Sequence, residues 1–139
     1  MKLAITKAQE DLLEVPVGAV IVYNNQVISC CHNSNIRDQD PTAHAEISAI
    51  REACKILSNH ILNQCDIYVT LEPCAMCAQA ISLAKIRRLY FGAYNKKYGA
   101  IENGARIFQF CNYVPETYGG ILEEDNTKLI TNFFKKLRK

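Results

Sequence analysis

The chain lacks any apolar run approaching the ~20 residues that a membrane-spanning helix needs. It also lacks internal repeats, low-complexity tracts and an obvious linker, so all 139 residues (1–139) are expected to form one domain. Disulfide-framework spacing is absent: the seven cysteines are odd in number and irregularly placed, and no charged-then-apolar leader opens the chain. Reduced thiols and a cytoplasmic location are the expectation. Net charge is only +2, too little to announce a nucleic-acid partner by itself. What is present is a 49% hydrophobic composition, enough for a core without covalent staples.

Element signals alternate along the chain. Residues Lys2 to Glu14 read as a helix with Leu3, Ala4, Ala8, Leu12 and Val15 as its stripe, stopped by Pro16. The run from Val17 to Tyr23 reads as a buried strand, Asn24-Asn25 as a turn, and Val27 to Cys31 as the returning strand of a hairpin. A polar loop from His32 to Pro41 leads to a helix from His44 to Leu57, carried by Ile47, Ile50, Cys54 and Leu57. Ile67 to Leu71 then reads as a strand, Ala75 to Ala84 as a helix of small residues, and Arg88 to Gly92 as a strand. After a glycine-punctuated loop, Ala105 to Phe110 suggests a short helix and Val114 to Tyr118 an edge strand limited by Pro115. Leu122, Leu129, Ile130, Phe133, Phe134 and Leu137 stripe a final amphipathic helix. This order predicts an α/β fold, a three-layer α/β/α sandwich whose mixed sheet of about five strands carries helices on both faces.

Two short segments hold the chemistry: Thr42-Ala43-His44-Ala45-Glu46 and Pro73-Cys74-Ala75-Met76-Cys77. Cysteines three apart at a helix start present both sulfurs on one side of the first turn. With one imidazole they make three ligands, the number expected of a catalytic zinc that keeps a position for water; a structural site closes its tetrahedron with a fourth. His44 and Glu46, two apart, point about 200° from each other along a helix, so they converge only beyond a helix N-terminus. There the imidazole reaches the metal and the carboxylate stands over its water. Glu72 reads as a cap for the second helix. Helix N-termini aimed at one point favour thiolates. Cys-x-x-Cys also occurs in structural half-sites and redox pairs, and a fourth ligand from Cys30, Cys31, His32 or Cys65 would favour the structural alternative.

His-x-Glu followed by Pro-Cys-x-x-Cys resembles the signature of the zinc-dependent nucleobase and nucleoside deaminases, the cytidine/deoxycytidylate deaminase superfamily. Within it the chain is most similar to the bacterial tRNA-specific adenosine deaminases. The resemblance runs through Glu14-Val15-Pro16-Val17-Gly18-Ala19-Val20, Asp40-Pro41-Thr42-Ala43-His44-Ala45-Glu46, Tyr68-Val69-Thr70-Leu71-Glu72-Pro73-Cys74, Phe91-Gly92-Ala93, and Gly120-Ile121-Leu122 leading into Phe133-Phe134. It implies a cytidine deaminase-like fold and one Zn2+ held by His44, Cys74 and Cys77. It also implies Glu46 as the proton shuttle to a zinc-activated water, and Asn33 as a substrate-binding amide. The implied reaction is hydrolytic conversion of adenosine to inosine at the wobble position of a tRNA anticodon stem-loop, by a homodimer. A free-base deaminase acting on guanine or cytosine, and a non-catalytic zinc-stabilised nucleic-acid-binding module, are the alternatives. Tyr94-Asn95 and His32 depart from the family pattern, which commonly has a charged pair and a bulky aromatic there. The basic residues Lys128, Lys135, Lys136, Arg138 and Lys139 read both as charges complementing the last helix dipole and as a phosphate-contacting tail.

Overall fold

The computed structural model describes residues 1–138; Lys139 and its share of the basic tail lie outside the described residues. One five-stranded sheet has the order β2-β1-β3-β4-β5, with β1 (Gly18–Tyr23), β2 (Gln26–His32), β3 (Cys65–Leu71), β4 (Arg88–Ala93) and β5 (Glu116–Tyr118). β1 runs antiparallel to β2 and β3, while β3, β4 and β5 are mutually parallel, so the sheet is mixed as expected. The hairpin turns at Asn24 and Asn25, both at positive φ (49° and 59°), the backbone of a tight turn matched to strand twist.

Strand alternation assigns the helices to faces. On β1, Gly18 and Val20 face α1 (Lys2–Ala8): a Cβ at residue 18 would collide with the Ala4 carbonyl oxygen. Val20 pairs with Tyr68 and Tyr68 with Tyr90, so they share that face. Gly92, two residues on from Tyr90, abuts the Asn126 amide of α4 (Glu123–Leu137). The opposite face presents Ile21, Ile67, Val69, Leu89 and Phe91 to α2 (Ala45–Leu57) and α3 (Ala75–Leu83), and there the main core closes with Ala45, Ala49, Ala53 and Ile81. Alanines on α2 let the helix axis lie close to the sheet, and the Ser29 hydroxyl donates to the Ala49 carbonyl across that contact (2.9 Å). Three layers, α/β/α, result.

Several elements depart from their expected limits, β3 for one beginning at Cys65 rather than Ile67. α1 ends at Ala8 rather than Glu14, because only Ala4 and Ala8 meet the sheet and Leu12 is 81% exposed. Glu14 is instead buried, its Oε1 accepting from the amides of Ile36 (2.8 Å) and Arg37 (2.9 Å), which draws the chain off the helix axis. β5 begins at Glu116, since Pro115 has no N–H to give the ladder. The expected short helix after the glycine-rich loop is a 3-10 turn, Ile107–Phe110.

Candidate metal centre

α2 and α3 both start at the sheet edge where β3 ends. His44 is the N-cap of α2 and Cys74 the N-cap of α3, each in extended backbone (φ −72°, ψ 152° and φ −72°, ψ 175°) that turns its side chain off the helix end. The first four amides of each helix lack intrahelical partners, and two such ends converge here. Ala45, Glu46 and Ala75 occupy the first-turn positions expected from the sequence.

The His44 Nδ1 lies 3.6 Å from the Cys74 Sγ and 3.5 Å from the Cys77 Sγ. Zinc bonds of about 2.3 Å to sulfur and 2.0–2.1 Å to nitrogen, at a tetrahedral angle, separate the two ligand atoms by about 3.5 Å. The three side chains therefore already stand along the edges of a zinc tetrahedron. Among the described residues this is the one group of three or more His, Cys, Asp or Glu side chains suited to a metal, and Cys30, Cys31, His32 and Cys65 do not join it. His32 is engaged elsewhere, its Nδ1 lying 2.7 Å from the Asn33 carbonyl oxygen.

Protonation within the cluster follows from its crowding. The Cys77 thiol hydrogen-bonds to Cys74, and that bond, against the opposing effect of burial and with help from His44, holds the Cys74 thiol down at about 4. Cys77, as the donor of that bond and buried, is pushed upward. His44 is raised, chiefly by Cys74. Glu46 is buried beside them, and desolvation carries its carboxyl up to about 7, which suits a group that must both take and give a proton near neutrality.

Asn33 is 8% exposed at the head of the loop before α2. Its Nδ2 donates to the Val15 carbonyl (3.2 Å) and its Oδ1 accepts from the Ala45 amide (2.9 Å), so it ties β1's entry to the start of α2. An amide has two N–H bonds and two lone pairs on oxygen, which leaves one of each for a further partner.

Two buried carboxylates, Glu14 and Glu72, have roles that the sequence did not reveal. Glu14 clamps the loop that carries Asn33. Glu72 does not cap α3; it is 1% exposed and accepts five hydrogen bonds from the loop after β4. Its Oε1 takes Asn95 N–H (3.1 Å) and the Asn103 side-chain Nδ2 (2.7 Å), and its Oε2 takes the amides of Ile101 (3.1 Å), Glu102 (2.9 Å) and Asn103 (3.0 Å). Burial works against its ionisation, and these bonds outweigh burial and keep its carboxyl below the usual range. The available signal for Glu72 was an acid followed directly by proline at an apolar strand's end, in Leu71-Glu72-Pro73; Glu14 has its proline two residues on, ahead of β1, in Leu13-Glu14-Val15-Pro16.

The cytidine and deoxycytidylate deaminase zinc-binding region matches residues 1–93. A tRNA-specific adenosine deaminase of Rickettsia felis is 50% identical over 132 residues, covering 92% of each chain. A solved structure of a tRNA:A34 deaminase, from work on A-to-I editing at the wobble position of transfer RNA, superposes with a TM-score of 0.90 at 46% identity, over 93% of this chain and 96% of that one. A guanine deaminase structure from Bacillus subtilis is more distant, with a TM-score of 0.66 at 30% identity over 99% of this chain and 91% of that one.

Proposed function

This chain belongs to the family of deaminases that carry the cytidine and deoxycytidylate deaminase zinc-binding region, and from that membership we infer that it converts adenosine to inosine at the wobble position of a tRNA anticodon. One continuous sheet and core support reading residues 1–139 as one catalytic domain. The observation that carries the reaction is the buried Glu46 carboxyl beside the His44, Cys74 and Cys77 triad. The 50% identity to a tRNA-specific adenosine deaminase over 92% of each chain supports the substrate.

His44, Cys74 and Cys77 would hold the zinc. When bound, that ion supplies Lewis-acid activation of water. Glu46 accepts the proton that water loses and gives it to N1 of the adenine ring, then takes the second proton from the oxygen added at C6 and delivers it to the departing amino group, so that adenosine and water become inosine and ammonia. Burial of Glu46 keeps bulk solvent from exchanging that proton. Asn33 offers its remaining N–H to the base edge, and its two existing bonds fix the direction in which that N–H points. An adenine stacked in a duplex is out of reach of this recessed cluster, which fits a substrate presented in a single-stranded loop.

The remaining partners are inferred in the same way. Leu83, Phe110 and Val114 are exposed around the contact between α3 and residues 107–114, where the Ser82 hydroxyl donates to the Tyr113 carbonyl. An apolar patch of that kind suits a second copy of the chain, and we assign it to a homodimer. On α4, Lys128 pairs with Glu124 (3.0 Å), while Lys135, Lys136 and Arg138 remain exposed near the C-terminus and are assigned to RNA phosphates. No helix among the described residues is long and apolar enough to cross a membrane. All seven cysteines are unpaired, which supports placing the protein in the reducing cytoplasm.

The deciding experiment incubates the purified, zinc-loaded protein with an anticodon stem-loop and sequences the product. Adenosine at the first anticodon position is expected to read as guanosine, the signature of inosine. Turnover of guanine or cytosine with an untouched stem-loop would select the free-base reading.

A further inference from the structure

Cys77 lies within the first turn of α3, whereas Cys74 is its N-cap and stands half outside the helix. Cys74 makes no side-chain cap bond, so the extended backbone that turns its sulfur toward His44 is steadied from elsewhere. β3 and β4 are adjacent and parallel, and the loop 94–104 that follows β4 therefore leaves the sheet beside Pro73 and Cys74, which follow β3. The two segments pair. Gly99 forms an isolated antiparallel bridge with Cys74, and the Ala100 amide donates to the Pro73 carbonyl (2.9 Å). Pro73 is buried and has no N–H, so that carbonyl is the one backbone group it offers.

A single carboxylate holds the loop against that segment. Glu72 takes the amides of Asn95, Ile101, Glu102 and Asn103 and the Asn103 side chain, so it grips the loop on both sides of Gly99. Gly99 rests on it: a Cβ at residue 99 would stand 2.7 Å from the Glu72 carboxyl carbon and collide with the Asn95 carbonyl oxygen. Hydrogen bonds to a carboxylate are charge-assisted, roughly twice as strong as neutral ones. Glu72 is not in the ligand group of His44, Cys74 and Cys77. Its reach to the metal is indirect, first to the loop backbone and then across the bridge to Cys74.

We propose that Glu72 is a positioning residue for the zinc. Acting through Gly99 and Ala100, it holds the Pro73-Cys74 backbone in the conformation that keeps the Cys74 sulfur on the ion, and so sets how tightly the ion is kept. The inference rests on the zinc-centre reading and is independent of which RNA the enzyme takes. It gives each ligand-bearing N-cap an anchor outside its own helix, the Asn33 amide for α2 and the loop on Glu72 for α3.

The test measures the zinc affinity of the full chain by competition with a chromophoric chelator, alongside thermal melts of the same samples. Glu72→Gln keeps the side-chain volume but turns an amide NH2 toward N–H donors, and it is expected to weaken zinc binding about 10- to 100-fold, the cost of losing a group that orients a ligand. Gly99→Ala drives a methyl group onto the carboxylate and is expected to weaken zinc binding in the same direction. Asn103→Ala removes one of the five bonds and is expected to have a smaller effect. Leu62→Ala opens the core ahead of β3, at the opposite end of the sheet; it is expected to lower the melting temperature and leave zinc affinity at the wild-type value. Cobalt-loaded protein gives a spectroscopic readout: the visible bands of the ion are expected to shift in Glu72→Gln and Gly99→Ala and to match wild type in Leu62→Ala. Wild-type zinc affinity in both Glu72→Gln and Gly99→Ala, or an equal loss in Leu62→Ala, would overturn the inference and leave Glu72 as a loop clamp alone. If Glu72→Gln does not fold, Gly99→Ala and Asn103→Ala decide by the same criterion. A wild-type chain that binds no zinc would defeat the metal centre and the inference with it. Zinc binding without inosine formation would instead defeat the RNA-deaminase reading, and the affinities would still decide the role of Glu72.

Discussion

The Oδ1 of Asn33 accepts the Ala45 amide proton at 2.9 Å, so a side chain from the loop before α2 supplies the cap that the helix lacks from its own N-cap residue. His44 is thereby free to turn its ring toward the sulfurs. The helix start that carries a metal ligand and a proton carrier is anchored twelve residues upstream.

That anchor predicts a stability cost. Asn33→Ala removes both bonds and leaves the Ala45 amide and the Val15 carbonyl without partners, for a loss of about 2–4 kcal/mol in urea unfolding. Asn33→Asp keeps the acceptor for Ala45 and loses the donor to Val15, so its loss is expected to be smaller. An Asn33→Ala loss under about 1 kcal/mol would remove the amide as the anchor of α2.

Glu46→Gln preserves shape and hydrogen-bonding capacity while removing the titrating group. Zinc content measured by atomic absorption is expected to stay at one ion per chain, and the turnover number to fall by about 10²–10⁴-fold. Turnover within a few-fold of wild type would take the carboxylate out of the mechanism.

Removing the metal with a chelator is expected to abolish turnover and lower the melting temperature while leaving far-UV circular dichroism in place. The reason is that the core between the sheet and α2 and α3 closes on apolar side chains, not on the ion. Small structural zinc domains unfold when stripped. Collapse of the circular dichroism signal on chelation would move this site into that class.

Phe110→Asp puts a charge on the most exposed aromatic of the α3 patch, 78% exposed. Light scattering coupled to size exclusion is expected to show the dimer mass for the wild type and the monomer mass for the variant, with the melting curve of each chain otherwise similar. A monomeric wild type, or a dimeric Phe110→Asp, would send the interface elsewhere.

The metal ligands were legible because their chemistry is local: spacing of two and three residues at helix starts fixes where His44, Glu46, Cys74 and Cys77 can point. Period and β-branching likewise exposed all five strands and the long helices. The clamps were hidden for the opposite reason. Glu14 and Glu72 each act on backbone amides more than twenty residues away, and an amide leaves no mark in the sequence to say that it is waiting for a carboxylate. The early end of α1 belongs to the same class, since the apolar stripe continues through Leu12 but the sheet surface beneath it does not. Asn33 was legible as a residue of interest, whereas its bonds to Val15 and Ala45 depend on the folded path of the loop.

Four of the five groups that Glu72 holds are peptide N–H groups, which every residue but proline possesses. The shape of that loop is therefore nearly indifferent to which side chains decorate it. Lys96, Lys97 and Tyr98 can be exchanged without disturbing the curve that displays them or the cysteine beneath. The enzyme thus separates the part that performs the reaction from a small interchangeable tip, and a library randomised at those three positions should yield folded, metal-replete proteins.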